Sequence, residues 1–300
     1  MKISAAALVS LLLSASPLVA QQVFVSSTGS DSNNCFTFTT PCRTFAGALS
    51  QVSAGGEVIA IGSGEFGIAT INKAVTIEAA PGVFASIEAL SGLALSISAG
   101  ASDKVILRNL VFEGASSNGV AFSQGRSLEI ENCVFNGFSA GILHQAASST
   151  LTLRHSTIRN SATSGLSVAV PSGTTTVTVS DCAFEQNATA ISTSKNAAVS
   201  VTDSTFTSNT IAISAQPFTS GSLVEMSVTR CLLNGNVLVG VQSAPSSGAN
   251  ATVRISDSTV TNSGTGLRQV GVGVIESLGN NVVRGNSTDK FGTVTVVLPD

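Results

Sequence analysis

Leu128-Glu129-Ile130-Glu131-Asn132-Cys133-Val134-Phe135 is the stretch that decides the fold. Apolar and polar residues alternate as far as Glu131, Asn132 breaks the alternation, and Cys133 and Phe135 then resume it as inward positions. Alternation of period two indicates a half-buried β-strand. Asn tolerates the left-handed backbone conformation that a sharp bend often needs. The stretch therefore predicts two short strands joined at a corner.

The same pattern recurs along most of the chain. Its first apolar position falls at Leu107, Ile130, Leu153, Val179, Val201, Val228, Ile255 and Leu278, with intervals of 23, 23, 26, 22, 27, 27 and 23 residues. Periods of this size predict a solenoid, in which each coil buries its apolar face by stacking on its neighbours. Equivalent residues should then lie above one another in columns.

Four such columns follow from the alignment. The corner column is Asn109, Asn132, His155, Asp181, Asp203, Arg230, Asp257 and Asn280, in which Arg230 is the one unexpected residue type. The core column is Phe112, Phe135, Ile158, Phe184, Phe206, Leu233, Val260 and Val283. A second polar turn is predicted at Asn160, Asn187, Asn209, Asn236, Asn262 and Asn286, with amides that hydrogen-bond from coil to coil. A third strand follows, entered by Gly119, Gly141, Gly165, Ala190, Ala212, Gly240 and Gly266. Three short strands per coil predict an all-β fold, a parallel β-helix.

The N-terminal residues 1–20 have the pattern of a secretory signal peptide. Lys2 is followed by an apolar run from Ile3 to Leu13 and by small residues that lead to Ala20. The run is too short to span a bilayer comfortably, and the alternative is a buried N-terminal strand. We therefore expect a secreted protein, extracellular or periplasmic, without a membrane span.

Residues 21–56 are predicted to hold an N-terminal strand, a cysteine loop and a short capping helix, and residues 57–300 the β-helix. Thr44 could cap a helix whose apolar residues are Phe45, Ala48, Leu49 and Val52, stopped by Gly55-Gly56. Such a helix would cover the open end of the first coil. Residues 57–105 are interpreted as irregular early coils, and Thr293 to Leu298 as the last strand.

The five cysteines divide into two groups. Cys35 and Cys42 lie close together in a Thr-rich stretch, and export permits a disulfide between them. Cys133, Cys182 and Cys231 share one small-residue column in which serine coils separate them. Alternate coils are about 9.6 Å apart, which is too far for a disulfide or for shared zinc ligation. These three should be buried free thiols.

Composition excludes some functions. The chain is only 10% charged with a net charge of -3, and it has no basic cluster, so nucleic acid is not an expected partner. It has no Trp and no Tyr. Sugars commonly stack on such amphipathic rings, so both a polysaccharide enzyme and a lectin are disfavoured.

The mature chain resembles secreted bacterial right-handed parallel β-helix repeat proteins of the pectate-lyase-like superfamily. The resemblance rests on Val23 to Ser30 with the Cys35 and Cys42 pair, Thr44-Phe45, Gly55-Gly56-Glu57-Val58, and the coil Leu128 to Phe135. It implies a right-handed β-helix over nearly the whole mature chain. It implies less about function, because this architecture hosts lyases, hydrolases, epimerases and adhesins.

Motifs of the catalytic relatives are missing. The Asn-Thr-Asp, Asp-Asp, Gly-His-Gly and Arg-Ile-Lys strings of the polygalacturonate hydrolases do not occur. The resemblance implies that lyases hold calcium through clustered acids on the Gly-entered strand, where the outward column here is Ala121, Leu143, Ser167, Ser192, Ser214, Gln242 and Arg268. This column offers calcium no carboxylate. We therefore expect no metal and no cofactor, with calcium relevant only if the chain is an enzyme.

Charged residues gather on other outward columns, which are Arg108, Glu131 and Arg154 in three successive coils and Arg159 beside Glu185. One interpretation is a surface ladder of opposite charges. In the other, Glu131, Arg154 and His155 are catalytic, and Arg108, Arg159 and Glu185 bind an anionic sugar. His155 could instead be only a corner residue, and His144 is predicted to be a buried residue at a strand end.

Two functions remain open. The first is a secreted non-catalytic β-helix that acts as a structural, adhesive or weak surface-binding or glycan-binding module, with an extracellular polysaccharide or cell surface as partner. The alternative is a polysaccharide lyase or epimerase that acts on an acidic polysaccharide.

Overall fold

The computed structural model describes residues 20–115 and 117–297. The predicted signal peptide, apart from Ala20, and the end of the predicted last strand at Leu298 lie outside the described residues. Within these ranges, no helix has both the length and the apolar character needed to cross a membrane. The chain forms a parallel β-solenoid of about nine turns with three sheets, as predicted.

Each complete coil contributes one strand to each sheet, and sheet A has one further strand at each end. The twelve strands of sheet A are Gln22–Val25, Gly56–Ala60, Val75–Ala79, Lys104–Arg108, Ser127–Glu131, Thr150–Arg154, Thr175–Ser180, Ala197–Thr202, Leu223–Thr229, Asn250–Ser256, Val274–Ser277 and Val294–Val296. The ten strands of sheet B are Gly64–Glu65, Ala85–Ala89, Leu110–Gly114, Val134–Asn136, Thr157–Arg159, Ala183–Glu185, Thr205–Thr207, Leu232–Asn234, Thr259–Thr261 and Val282–Val283. The ten strands of sheet C are Ala69–Ile71, Leu95–Ser98, Asn118–Gln124, Ala140–His144, Ser164–Val168, Thr189–Thr193, Ile211–Ala215, Val239–Ser243, Thr265–Gln269 and Thr288–Phe291.

The core column is confirmed in every coil. All eight of its residues are buried, and Phe135 is paired in register with Phe112 on one side and Ile158 on the other. The rings of Phe112 and Phe135 stack 4.4 Å apart, nearly parallel, and those of Phe184 and Phe206 stack 5.1 Å apart. Burial of each large apolar side chain stabilises the fold by roughly 1.5 to 3 kcal/mol. This column fixes the register on which the surface assignments depend.

The corner column is confirmed except in its last coil. Its first seven members have φ between 48° and 56°, so Arg230, which was unexpected there, adopts the same left-handed corner as Asp257. The assignment of Asn280 is wrong. Ile255 pairs with Ser277 whereas Val260 pairs with Val283, so the last corner holds one more residue, and Gly279 with φ 85° takes the left-handed position.

The second polar turn is partly wrong, because it merges two adjacent columns. Asn187, Asn209 and Asn236 are buried, and Nδ2 of each of the first two donates to Oδ1 of the next at 3.0 and 3.1 Å. Asn160 and Asn262 lie one position earlier, exposed and with positive φ. Serines occupy the buried column in their coils, at positions 161 and 263.

The thiol column is confirmed as three buried free cysteines. The backbone N–H groups of Cys133, Cys182 and Cys231 each donate to the hydroxyl of the serine in the following coil, at a distance of 3.1 Å in every case. The alternation of cysteine and serine therefore satisfies a buried donor that would otherwise be costly.

The N-terminal cap also agrees with the sequence. The helix Phe45–Gln51 begins after Thr44, whose hydroxyl accepts a hydrogen bond from Gly47 N–H at 3.0 Å. The Phe45 ring contacts that of Phe66 in the first coil, with centroids 5.0 Å apart. Cys35 and Cys42 form the predicted disulfide.

The early coils are more regular than expected. Residues 57–105 were predicted to be irregular, yet they pair in register in all three sheets, with Ile77 next to Leu107 in sheet A. Their turns differ in length from the later repeats, which hides the period in the sequence. At the other end, Val294–Val296 forms the last strand within the predicted segment.

Candidate functional site

The outward face of sheet A carries the main concentration of charge. Glu78, Arg108, Glu131 and Arg154 pair with one another in successive strands, so they form one outward column. Glu129 lies two residues before Glu131 on the same strand and therefore on the same face. The predicted stacking of Arg108, Glu131 and Arg154 is confirmed, and Glu78 extends it.

Arg108 lies at the centre of this face. Its Nε donates to Glu131 Oε2 at 3.1 Å, and its Nη atoms lie 3.9 Å from Glu78 and 3.8 Å from Glu129. The guanidinium presents donors to all three carboxylates in a fixed fork. Three negative charges are thus arranged around one cation, and the side chain of Arg108 remains 36% exposed.

Glu129 is the best-paired carboxylate of this group. Lys104 Nζ lies 2.7 Å from its Oε2. This hydrogen bond, opposed by burial and reinforced by the nearby charges of Lys104, Arg108 and Arg154, lowers the pKa of Glu129 below its ordinary value. Glu129 is therefore ionised at neutral pH.

A shallow recess of about 480 Å³ lies beside this face, where the strands of sheet A begin. Lys104, Glu129 and Arg126 line it together with hydroxyls that include Thr150 and Thr152. Arg126 is exposed and makes no ion pair within 4.0 Å to any residue that the structure describes. The same holds for Arg154 across the described ranges. Two cations on this face thus have their charge available.

His155 lies at the corner next to this face. Its Nδ1 is 4.0 Å from Glu131 Oε1 and its Nε2 is 3.8 Å from Asp181 Oδ2, with 58% of the side chain exposed. These distances are longer than hydrogen bonds. The φ of 48° accounts for a polar residue at this position without any catalytic role.

Arg159 and Glu185 lie elsewhere. They pair with each other on sheet B, beyond the corner, and not on the face that carries Arg108 and Arg154. Nε of Arg159 is buried without a hydrogen-bond partner in the described structure. The six candidate residues therefore do not form one patch. Four further charged residues of the site were not predicted from the sequence, namely Glu78, Lys104, Arg126 and Glu129. The alternation in Leu128-Glu129-Ile130-Glu131 already indicated that both glutamates face outward.

The Gly-entered column carries no charge before its last predicted member, Arg268, as expected. In its last coils, Gln242 donates from Nε2 to Ser214 Oγ at 2.8 Å and accepts from Arg268 Nη1 at 3.0 Å. Ser214 and Gln242 are both buried, so these contacts satisfy polar groups within the surface. The column provides a structural network with no carboxylate in it.

His144 is buried at a strand end, as predicted. Both neighbouring hydroxyls donate to carbonyl oxygens, Ser149 to Ala146 at 2.7 Å and Thr175 to Ser149 at 2.8 Å. We therefore assign Nε2 of His144 as the donor to Thr175 Oγ1, at 2.6 Å. Burial lowers the pKa of His144 to about 4.

Calcium, which the resemblance associates with lyases, does not fit this face. Calcium takes six to eight oxygen ligands. The carboxylates of Glu78, Glu129 and Glu131 converge instead on the Arg108 guanidinium, which occupies the space between them. Within residues 20–115 and 117–297, no group of three or more acidic, His or Cys side chains is arranged to hold a metal ion.

Comparison with known proteins supports the architecture. A family model described as a right-handed beta helix region matches residues 90–223. The solved structure of pectate lyase Pel9A superimposes with a TM-score of 0.64 at 15% identity, covering 95% of this chain and 79% of that chain. No curated protein matches the chain significantly in sequence. The chain thus has the right-handed parallel β-helix fold, and pectate lyase Pel9A shares this fold.

Two other solved structures are more weakly similar. A rhamnogalacturonan lyase has a TM-score of 0.43 at 13% identity, covering 93% of this chain and 90% of that chain. The GH136 lacto-N-biosidase from Eubacterium ramulus has a TM-score of 0.46 at 10% identity, covering 92% and 68% respectively.

Proposed function

We propose that the chain is a secreted, non-catalytic β-helix module that binds an acidic extracellular polysaccharide, free or on a cell surface, along the outward face of sheet A. The observation that carries the proposal is the pairing at Arg108. Its guanidinium draws in Glu78, Glu129 and Glu131, and Lys104 also pairs with Glu129, while Arg126 and Arg154 retain available charge. A face of this kind can attract carboxylate groups of a polymer.

Binding suits this geometry better than proton transfer does. A general base must be able to accept a proton near the working pH. Lys104 lowers the pKa of Glu129, which makes that carboxylate a weak base, and one oxygen of Glu131 already accepts the hydrogen bond from Arg108. Arg126 and Arg154 can instead donate two parallel hydrogen bonds to a uronate carboxylate, and the hydroxyls of Thr150 and Thr152 can bond to sugar hydroxyls.

Affinity electrophoresis in gels that contain polygalacturonate tests the proposal, with dextran as the neutral polymer. We expect the native protein to be retarded by polygalacturonate and less so at high salt, because Debye screening weakens exposed charge contacts. The variants Arg126→Ala and Arg154→Ala should each weaken binding about threefold to tenfold, or about 1 kcal/mol. Arg284→Ala is the matched control, since its side chain is 79% exposed and lies in the last coils. Equal retardation of all four proteins would contradict the proposal.

The alternative is a lyase or epimerase that acts on an acidic polysaccharide. It is favoured by one observation, the position of Glu131 between Arg108 and Arg154 in the same column. Incubation with uronate polymers and detection of unsaturated products by ultraviolet absorbance tests for elimination. If such activity is found, Glu131→Gln should abolish it, and unchanged activity in Glu131→Gln and Arg154→Ala would exclude this site.

A further inference from the structure

The exposed ring of Phe38 lies at the N-terminal end of the same face of sheet A, where it packs on Phe24. Phe24 points outward from the strand Gln22–Val25, between the buried Val23 and Val25, yet it is only 6% exposed. Phe38 covers it, with ring centroids 4.2 Å apart and planes inclined by 35°. Phe38 is itself 69% exposed. One face of its ring is therefore supported and the rest is open to solvent.

The segment that carries Phe38 is firmly attached to the sheet. The disulfide closes the loop between Cys35 and Cys42. Phe24 N–H donates to Cys35 O, and Cys42 N–H donates to Phe24 O, each at 2.8 Å. The ring is thus held in place before any ligand arrives, which lowers the conformational entropy that binding would cost.

Phe38 and the charged face belong to one continuous surface. Phe24 pairs with Ile59, the next strand places Glu78 beside Ile59, and the following strand places Arg108 beside Glu78. Three inter-strand spacings separate Phe24 from Arg108, or about 14 Å. A polymer that runs along the solenoid axis could contact both ends of this strip.

We propose that Phe38 is a stacking platform for a sugar ring of the same polysaccharide. The face of an aromatic ring carries negative charge from its quadrupole. The carbon-bound hydrogens on one side of a pyranose ring are polarised positive by the attached oxygens, and that side is otherwise apolar. The two surfaces are complementary in shape and charge, and stacking removes the exposed Phe38 ring from water.

Hydroxyl groups beside Phe38 complete this subsite. The Thr37 hydroxyl is hydrogen-bonded to those of Thr39 at 3.1 Å and Thr40 at 2.7 Å. Such a cluster retains donors and acceptors for the hydroxyl groups at the edge of a stacked sugar. The inference rests on the proposed function, because it extends the polysaccharide path from the cations to the aromatic ring.

Two measurements with the full mature chain test the inference. The first is retardation by polygalacturonate of native protein, Phe38→Ala, Phe84→Ala and Arg154→Ala. Phe84 is the matched control, because it is 56% exposed but lies next to sheet B. The second is the NMR shift of the Phe38 ring resonances on addition of methyl galactoside at millimolar concentration, with Phe38→Leu used to assign them.

Stacking contacts predict a loss of about fivefold to tenfold in Phe38→Ala and none in Phe84→Ala. If Arg154→Ala loses binding and Phe38→Ala does not, the proposed function stands and the platform is excluded. If polymer binding is absent but the sugar shifts the Phe38 ring, sugar stacking on Phe38 stands, while its link to an acidic polysaccharide and the proposed function both fail. If neither polymer nor sugar affects the protein, both are overturned. Disruption of the loop by Cys35→Ser with Cys42→Ser should reproduce the Phe38→Ala loss.

Discussion

Arg108 donates a hydrogen bond of 3.1 Å from Nε to Glu131 in the next coil, and this pair organises the charged face of sheet A. The two side chains are direct neighbours in one column, because the strands Lys104–Arg108 and Ser127–Glu131 are paired in register. Opposite charges on adjacent strands attract, whereas like charges repel. Without the cation, Glu78, Glu129 and Glu131 would face one another.

We therefore expect Arg108→Ala to lower the free energy of unfolding by about 1 kcal/mol, measured by urea denaturation at low salt. The difference from native protein should shrink at 1 M salt, where the Debye length is about 3 Å. Arg126→Ala is the control, because Arg126 makes no ion pair within the described ranges, and it should leave stability unchanged. A loss in Arg108→Ala that is independent of salt would show that packing, not charge, is responsible.

Asn209 should be important for stability. Its amide accepts from Asn187 and donates to Asn236 Oδ1 and to Phe184 O, all within a buried column. Asn209→Ala leaves several buried polar groups unpaired and should cost about 2 to 4 kcal/mol in the free energy of unfolding. Asn262→Gly is the control, since this exposed residue has φ 54° and Gly tolerates that conformation. Equal losses of unfolding free energy in the two variants would contradict the stabilising role of the buried hydrogen bonds of Asn209.

His144 makes the protein less stable in acid. Its pKa is about 4 in the folded chain and about 6.5 when unfolded. Between these values the unfolded state binds the proton, so stability rises with pH from about 4 to about 6.5 and is lost as pH falls through that window. The full difference is about 3 kcal/mol.

Denaturation of native protein and His144→Val at pH 4 to 7 measures this contribution. Val is chosen because Val168 is paired with His144 in the next coil. The free energy of unfolding of the variant should not change with pH through His144 in this window. Carboxylates with lowered pKa values, such as Glu129, still destabilise the variant at lower pH. If the free energy of unfolding of both proteins depended on pH in the same way, the destabilisation in acid could not be attributed to His144.

The three free thiols should be unreactive in the folded protein. Burial raises the pKa of Cys133 and Cys182 to about 12 and that of Cys231 to about 11. The thiolate is the reactive form, so these side chains are protonated and shielded at pH 8. Ellman's reagent should count three thiols in guanidinium chloride and almost none without it. Rapid reaction of even one thiol in native protein would contradict the burial of these three cysteines.

Alternation was enough to predict which residues face inward. The core column and the corners follow from a strict period of two that is interrupted at one position, and Phe135 and Asn132 illustrate both features. The second turn was harder, because adjacent positions accept the same residue type for different reasons. Asn262 adopts a left-handed conformation in solvent, whereas Asn209 hydrogen-bonds inside the solenoid.

The candidate site was only partly predictable. Stacking of Arg108 on Glu131 follows from the repeat, but Glu78 belongs to an early coil in which turn lengths conceal the period. Phe38 lies in a loop that packs on the sheet through the disulfide and through Phe24. A contact between a loop and a distant strand has no periodic signal, so only the three-dimensional structure brings the aromatic ring next to the charged residues.

The constant register of the columns makes the length of the molecule independent of its cross-section. Val179 and Val201 are direct neighbours in sheet A and 22 residues apart in the chain. Deletion of residues 180–201 would join Val179 to Thr202, which is the structural equivalent of Ser180. The shortened protein would keep its profile and both ends while its axis contracts by one inter-strand spacing, about 4.8 Å. The length of the solenoid can thus be changed one coil at a time, while the remaining coils keep their structure.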